Sequence, residues 1–161
     1  MGSYADRVAV SYVLRIATPA DAEAVAALVD AAYRHYIERI GRPPGPMTED
    51  YDQVIRDRQV TVAEQNGEMA GVVVTGPTDE GFAIDNVAVH PSHQGKGLGG
   101  ALMQYAEAEA RRAGFDSIYL YTHEKMTENQ ALYARLGYVE YERRAEHGFS
   151  RVFMRKTLTS E

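Results

Sequence analysis

The sequence predicts a single α/β domain of the α+β kind, with a mixed, mostly antiparallel central sheet of about seven strands flanked by about four helices. Three observations support this class. The chain has 161 residues, enough for one domain with a substantial core. Strand-like and helix-like segments follow in the order strand, helices, three strands, helix, strand, helix, two strands. Adjacent strands without an intervening helix exclude a regular βαβ series.

In the first half, Tyr12–Ile16 is predicted to be a strand. Thr18–Asp21 is typical of a helix start, with Thr as the N-cap, Pro at the first position and an acid at the third. The helix that follows has one apolar face, made by Val25, Leu28, Val29 and Ala32. The three prolines and two glycines of Gly41–Pro46 predict a loop without regular structure, before a short helix over Thr48–Arg56.

The middle of the chain predicts three strands and a helix. Asn66-Gly67 is a hairpin turn signal between strands over Val60–Glu64 and Ala70–Thr75, and Phe82–Val89 is the next strand. A helix then has the apolar stripe Leu98, Ala101, Leu102 and Tyr105. Gly114 stands where a residue just after a helix end is expected.

The last part predicts one strand, one helix and a closing pair of strands. Ser117–Tyr121 is the strand, and Thr127–Leu136 is the helix, with Thr127 and Gln130 spaced as a capping box. Tyr138–Arg143 and Phe149–Lys156 are predicted to form two closing antiparallel strands.

Composition excludes several classes of partner. Seventeen basic and twenty-three acidic residues give a net charge of −6, which disfavours binding to nucleic acid. The chain has no cysteine, hence no disulfide, thiolate metal site or cysteine nucleophile. No apolar run approaches the roughly 18 residues of a membrane span. We expect a cytoplasmic protein without bound metal, nucleic acid or membrane.

The most informative segment is the glycine-rich loop Gln94–Gly100, which follows an apolar strand and opens a helix. A helix start presents unpaired backbone N–H groups and the positive end of the helix dipole. Glycines let a phosphate oxygen approach these groups, because no Cβ is in the way. The loop therefore predicts a site for a phosphate or pyrophosphate.

Three interpretations of this loop compete with a fourth, given below. Gly95, Gly97 and Gly100 match the dinucleotide pattern G-x-G-x-x-G, but His90–Gln94 separate the strand from the first glycine. A Walker loop fails because Lys96 is followed by Gly97 and not by Ser or Thr. A plain glycine-rich turn remains as the third interpretation.

The fourth interpretation is a family resemblance that covers most of the chain. Gln94–Gly99 resembles the Q/R-x-x-G-x-G/A signature of the GNAT superfamily of N-acetyltransferases. Ile84–Pro91 looks like the family's fourth strand, and Arg15–Asp21 resembles the usual N-terminal segment of the family. Glu128–Tyr138 is similar to the family's E-N-x-x-A-x-x-x-Y-x-x-x-G-F/Y region, in which a tyrosine follows an asparagine. The resemblance implies one N-acetyltransferase domain over residues 1–161, with 1–11 as a flexible extension. It also implies splayed fourth and fifth strands.

The resemblance implies acetyl-CoA as the cosubstrate. The pantetheine arm would pair with the fourth strand, the loop would surround the pyrophosphate, and the Val87 N–H would polarise the thioester carbonyl. The residues that it assigns to acetyl-CoA are Val87, Ala88, Val89, Gln94, Gly95, Lys96, Gly97, Leu98, Gly99, Gly100, Asn129 and Tyr133.

The resemblance implies that Tyr133 protonates the departing thiolate, with the acetyl group passing directly to a primary amine. A glutamate that serves as the base in one branch of the family is replaced here by Ala83. Asp85 follows Ala83 by two residues and lies on the same face of the strand if the strand is unbulged. It is the candidate base, although it could instead fix the substrate amine. A β-bulge would reverse this parity. His123 is a weaker candidate.

The acceptor is expected to be a small-molecule amine, bound by Tyr33, Tyr36, Arg39, Arg42, Asp85 and His123. We hypothesise that Arg39 or Arg42 binds a carboxylate or phosphate of the acceptor. A polyamine or aminoglycoside attracted by the acidic chain is the opposite hypothesis. Other classes remain open: a protein N-terminal or lysine acetyltransferase, a non-catalytic acyl-CoA-binding module and a nicotinamide-dependent oxidoreductase. The resemblance also implies a possible homodimer.

Overall fold

The computed structural model describes residues 12–159, so the predicted extension over residues 1–11 lies outside the described residues. The strands are β1 (Val13–Ile16), β2 (Gln59–Gln65), β3 (Glu68–Thr78), β4 (Gly81–Val89), β5 (Ser117–His123), β6 (Val139–Glu146) and β7 (Phe149–Thr157). The α-helices are α1 (Ala22–Tyr33), α2 (Tyr36–Ile40), α3 (Tyr51–Asp57), α4 (Leu98–Arg112) and α5 (Thr127–Arg135). Short 3-10 helices cover Pro19–Asp21, Gly45–Thr48 and Pro91–His93. Within the described chain, no helix is both long and apolar enough to cross a membrane.

The strands form one mixed sheet in the order β1-β2-β3-β4-β5-β7-β6. Neighbouring strands are antiparallel except β4 and β5, which are parallel. Their pairing covers Phe82–Ile84 and Ile118–Leu120, after which β4 continues to Val89 and β5 to His123. The two strands therefore separate beyond Ile84, and the predicted fold class is confirmed, splay included.

A β-bulge lies in β4 where this separation begins. Ile84 and Asn86 pair with consecutive residues of β3, which leaves Asp85 as the extra residue. The bulge shifts the alternation of side chains, so that Ile84 and Val87 both pack on the α4 side of the sheet. The parity argument for Asp85 assumed an unbulged strand. The shift comes only after Asp85, however, so its side chain still lies on the face away from α4, where it meets Arg58.

The sheet has a core on each face. The α4 side chains Leu98, Leu102 and Met103 pack on one face together with Tyr133 of α5 and Ile118 of β5. Helices α1, α2 and α3 cover the other face of the first strands, mainly through valines and tyrosines. The helices cover the two faces of the sheet, and the gap between β4 and β5 lies where these strands separate beyond Ile84.

Helix boundaries differ from the predictions where side chains cap the backbone. Asp21 accepts the Thr18 N–H at 2.7 Å, as predicted, but the first turn is a 3-10 helix. Asp50 caps α3 by accepting two backbone N–H groups, so this helix begins later than expected. The prediction of irregular structure through Pro46 is wrong at its end, because a 3-10 helix begins at Gly45.

Candidate active site

Two cavities meet at the gap between β4 and β5. The loop cavity, of about 510 Å³, is lined by Val87–Val89, Gln94–Gly95 and Gly97–Gly100. The inner cavity, of about 210 Å³, lies on the β5 side. It is lined by Tyr51, Arg58, Asp85, Tyr121, His123 and Arg151, among others.

Four residues line both cavities, namely Tyr33, Val87, Asn129 and Tyr133. They come from α1, β4 and α5, which converge where the sheet opens. A group bound along the loop cavity and a second group bound in the inner cavity would therefore meet at this junction.

The backbone of β4 faces the gap at alternate residues. The His90 N–H donates to the Ala70 carbonyl of β3 at 2.8 Å. Because backbone groups alternate along a strand, Ala88 also faces β3, whereas Val87 and Val89 direct their N–H and C=O groups away from it. The two valines thus present a strand edge to the loop cavity, as the resemblance implies.

Side chains contact this edge from either end. The Tyr33 hydroxyl donates to the Val87 carbonyl at 3.1 Å and to Asn86 Oδ1 at 2.8 Å. The Gln94 side-chain amide donates to the Val89 carbonyl at 3.3 Å. An extended ligand that used these carbonyls would replace the two side-chain donors, while the N–H groups stay directed into the gap.

The glycine loop fits a phosphate group. Gly95 and Gly97 adopt positive φ values of 78° and 83°, and Gly97 directly precedes α4. No atom lies within 4 Å of the position that a Cβ would take at Gly95. The start of α4, a helix of 15 residues, thus faces open space with its backbone N–H groups. Lys96 is exposed and does not line the cavity.

Tyr133 is buried at the junction and packs edge-to-face against Tyr138, with 6.2 Å between ring centroids. Burial raises the pKa of the Tyr133 hydroxyl above its usual value, so it stays protonated at neutral pH. Asn129 lies one turn earlier on α5, with its side-chain amide near Met126 Sδ at 3.6 Å. The two side chains therefore lie on one face of the helix, as their spacing predicts.

The predicted capping box of α5 does not form. Thr127 is the first helical residue and Met126 is the N-cap. The Gln130 side-chain amide donates instead to the carbonyls of His123 and Glu124, at 3.2 and 2.9 Å. This contact ties α5 to the end of β5 and holds Asn129 and Tyr133 at the gap.

Asp85 lines the inner cavity in an ion pair with Arg58. Arg58 Nε donates to Oδ2 at 2.6 Å and Nη2 to Oδ1 at 3.1 Å, while Nη1 donates to the Pro77 carbonyl at 2.9 Å. Burial raises the pKa of the Asp85 carboxyl, and Arg58 opposes this shift. The bulge thus places a partly desolvated, restrained carboxylate in the cavity.

His123 lines the same cavity with a defined tautomer. Its Nδ1 accepts the Lys125 N–H at 3.0 Å, which requires a lone pair on Nδ1. Burial lowers the pKa of the ring, so the neutral form, with its proton on Nε2, is favoured. This arrangement suits His123 to donating a hydrogen bond and not to accepting a proton.

The other predicted acceptor residues lie outside the inner cavity. Arg39 pairs with Glu128 through two bonds of 2.5 and 2.8 Å. Arg42 donates to the His147 carbonyl at 2.7 Å and lies 3.8 Å over the Phe149 ring. Tyr36 lines the loop cavity, next to Tyr33 at the junction. Of the six predicted acceptor residues, the inner cavity thus brings together Tyr33, Asp85 and His123.

Sequence reasoning missed Arg58, Tyr51 and Tyr121 as cavity residues. Arg58 meets Asp85 across 27 residues, through the pairing of β2, β3 and β4. No local pattern signals such a contact. The alternation of β7 could have placed Arg151 on one face, but not the cavity against that face.

Among residues 12–159, no cluster of three or more His, Asp or Glu side chains could hold a metal ion. The candidate site therefore consists of the backbone edge of β4, the glycine loop, and the polar and aromatic side chains of the inner cavity.

Comparison with known proteins finds similarity both in sequence and in structure. Over 76 residues the chain is 33% identical to the [Ribosomal protein bS18]-alanine N-acetyltransferase of Escherichia coli strain K12, covering 47% of this chain and 51% of that protein. The chain thus spans about half the length of the curated relatives it matches.

Solved structures match over nearly the whole fold. A protein of the GNAT family from Desulfovibrio desulfuricans has a TM-score of 0.76 at 20% identity, over 92% of this chain and 99% of that one. A GNAT family acetyltransferase from Elizabethkingia anophelis, solved with acetyl-CoA bound, has a TM-score of 0.68 at 21% identity, over the same shares.

The acetyltransferase (GNAT) family model matches residues 23–138, which include β4, the glycine loop and α5. This match covers well over half of the chain and confirms the resemblance. The protein therefore belongs to the GNAT family of acyltransferase enzymes.

Proposed function

We propose that the protein transfers an acetyl group from acetyl-CoA to the primary amine of a small-molecule acceptor, with both substrates bound together. The observation that carries this proposal is the junction, where Tyr33, Val87, Asn129 and Tyr133 line both cavities. Two substrates held there would react without a covalent enzyme intermediate, and their positioning would supply much of the rate.

The loop cavity is the proposed coenzyme site. The start of α4, the open position at Gly95 and the left-handed backbone of Gly97 suit the pyrophosphate. The edge of Val87 and Val89 suits the amides of the pantetheine arm, which would add to β4 like a further strand. The Val87 N–H is then placed to stabilise negative charge on the thioester oxygen.

The proposed chemistry is a direct acyl transfer. The acceptor's ammonium group loses one proton to a base, and the neutral nitrogen attacks the thioester carbon. As the C–N bond forms and the C–S bond breaks, the nitrogen loses a second proton, which restores the proton that Tyr133 gives to the thiolate. Asp85 is the proposed base, because it is a desolvated carboxylate in the inner cavity. Tyr133 donates its proton to the leaving thiolate, since its hydroxyl is held in the neutral form at the junction.

The inner cavity supports a small acceptor, because its volume is only about 210 Å³ and α3, the 3-10 helix at Gly45–Thr48 and the start of β7 contribute to its walls. A protein N-terminus is the second candidate acceptor. It is favoured by the 33% identity to a ribosomal-protein alanine N-acetyltransferase.

The test combines coenzyme binding with an acceptor screen. Calorimetry with acetyl-CoA measures binding, and release of the free thiol of CoA measures turnover with amino acids, amines, polyamines, antibiotics and short peptides. We expect acetyl-CoA to bind and at least one free small amine to be acetylated. Turnover confined to peptides would favour the protein acceptor, and binding without any turnover would favour a non-catalytic module. Stabilisation by NAD and not by acetyl-CoA would contradict the proposal.

A further inference from the structure

The inner cavity has a second end, away from the junction, that the proposed chemistry does not use. Phe149 and Arg151, at the start of β7, line the inner cavity but not the loop cavity. The Arg151 side chain is only 15% exposed. A charged side chain with so little exposure has lost much of its hydration, so a ligand of opposite charge in the cavity would stabilise it.

The Arg151 guanidinium is held in one place by aromatic rings and one acid. Its central carbon lies 4.5 Å from the centroid of the Tyr121 ring and 5.7 Å from that of Phe149. Among residues 12–159 it makes one side-chain hydrogen bond, from Nη1 to Glu146 Oε1 at 3.1 Å. Stacking and this single bond fix the plane of the group before any ligand binds.

Arg151 has hydrogen-bond donors left for a ligand, in contrast to Arg58. A guanidinium has five N–H donors in a planar fork, and Glu146 takes one from Nη1. Arg151 Nη2 lies 3.8 Å from where a Cβ of Gly45 would be, at the cavity wall. Arg58 instead uses all three of its nitrogens, for Asp85 and the Pro77 carbonyl.

His123 adds a neutral donor on the same wall. Its ring packs edge-to-face against Phe149, with 5.9 Å between centroids, and lines the inner cavity. Because Nδ1 accepts the Lys125 N–H, the proton is on Nε2. Two side chains that contact Phe149, one charged and one neutral, thus offer N–H groups at this end of the cavity.

The acids that also line the cavity do not cancel this preference. Asp85 is bound by Arg58 through both oxygens, and Glu49 is exposed at the cavity mouth. At the β7 end, an acceptor with a second positive charge would meet the Arg151 guanidinium, whose partner Glu146 does not line the cavity. Such like-charge contact disfavours polycations.

We infer that Arg151 forms a carboxylate subsite, so that the acceptor is an amine bearing a carboxylate, bound with its amine at the junction and its carboxylate at the β7 end. The inference rests on the proposed function. It transfers to Arg151 the anion-binding role that the sequence suggested for Arg39 or Arg42. A planar guanidinium matches a carboxylate through two parallel bonds, and the aromatic walls suit the apolar part of such a molecule.

The test uses matched acceptors that differ by one carboxylate and that vary the distance between amine and carboxylate: glycine and methylamine, 4-aminobutanoate and propylamine, 6-aminohexanoate and pentylamine. For each pair, kcat/KM is measured with wild type, Arg151→Gln and Arg151→Lys. In wild type we expect the carboxylate member to be favoured about ten- to hundredfold, the range of a charged hydrogen bond. Arg151→Gln should bring the ratio close to one. Arg151→Lys, which keeps the charge without the planar fork, should retain part of the preference.

Arg143→Gln is the matched control, because Arg143 is a half-exposed arginine of β6 that pairs with Glu140 outside the inner cavity. It should leave the ratio unchanged. Equal or better turnover of the uncharged amines, preference for spermidine, or an unaltered ratio in Arg151→Gln would overturn the inference. So would binding of acetyl-CoA without turnover of any pair. Failure of wild type to bind acetyl-CoA by calorimetry would instead refute the proposed function itself.

Discussion

Tyr133 and Tyr33 each place a buried hydroxyl at the junction, and that of Tyr33 already donates to Asn86 and to the Val87 carbonyl. The pKa of the Tyr133 hydroxyl is raised mainly by burial, so the barrier to ionising it in the free protein is high. A thiolate formed beside it would accept this proton as the C–S bond breaks. Tyr133 is thus suited to act as a general acid that keeps its proton until the thiolate forms.

Tyr133→Phe should lower kcat by about a hundredfold or more, the usual contribution of a general acid, because the thiolate loses its proton donor. The Kd of acetyl-CoA, measured by calorimetry, should change by less than about threefold, since the ring remains in place. Tyr105→Phe is the matched control, because this hydroxyl contacts Thr61 outside both cavities. Unchanged turnover in Tyr133→Phe would remove the residue from the acid role.

Asp85 makes a prediction about pH dependence. Its pKa is raised by burial and lowered by Arg58, so removing Arg58 should raise it further. If ionised Asp85 is the base, kcat/KM falls as pH decreases through this pKa. Arg58→Gln should therefore move the acidic limb of the kcat/KM profile to higher pH and lower the rate at neutral pH.

Arg56→Gln controls for the loss of a nearby positive charge, because Arg56 pairs with Asp52 on the exposed side of α3. Its profile should coincide with that of wild type. An acidic limb that stays in place in Arg58→Gln would show that Asp85 is not the titrating base, and would leave it the role of fixing the substrate amine.

At the scale of elements, the glycine loop and α4 form a unit that the sequence predicts well. Gly97→Val should weaken acetyl-CoA binding by at least about tenfold, because a branched side chain would fill the space offered to the pyrophosphate and disturb the left-handed turn. The measurement is calorimetric titration with acetyl-CoA.

Gly114→Val separates this effect from backbone strain. Gly114 follows the other end of α4 with a φ of 90°, so valine there carries a similar conformational penalty. We expect both variants to lose thermal stability, and only Gly97→Val to lose coenzyme affinity. Equal affinities in the two variants would contradict the assignment of the loop.

Elements with local signals were predictable from the sequence, and those set by contacts between elements were not. Periodicity, caps and glycines predicted β4, α4 and the stop at Gly114, because each depends on a few neighbouring residues. The bulge at Asp85 depends on the register between β3 and β4, which no residue in the strand specifies by itself. The start of α5 at Thr127 was predicted, but the predicted capping box was wrong, because Gln130 reaches carbonyls at the end of β5 instead.

At the scale of the whole molecule, the same distinction explains the site. The loop cavity uses backbone groups of one continuous segment, so a motif could predict it. The inner cavity takes Arg58 from the end of α3, Asp85 from β4 and Arg151 from β7. The sequence offered only local composition for choosing which charged residues bind the acceptor, and this favoured Arg39 and Arg42. In the structure both of these residues make contacts at the surface.

The junction makes a final prediction about the order of chemical events. Because four residues line both cavities and the chain has no cysteine, both substrates should be bound before the acetyl group moves. Initial rates at varied acetyl-CoA and acceptor concentrations should give intersecting double-reciprocal lines. Intact-mass spectrometry after incubation with acetyl-CoA alone should show no stoichiometric acetylated enzyme.

A ping-pong mechanism would give parallel lines and an acetylated protein that passes its acetyl group to added amine. The Tyr133→Phe variant helps to distinguish direct transfer from a ping-pong mechanism, because it should slow the departure of the CoA thiolate without removing either binding site. If an acetyl-enzyme existed, this variant should change the amount that accumulates before acceptor is added. Under direct transfer, wild type and Tyr133→Phe both stay unmodified with acetyl-CoA alone. The slower turnover of the variant is then seen only when acetyl-CoA and acceptor are both present.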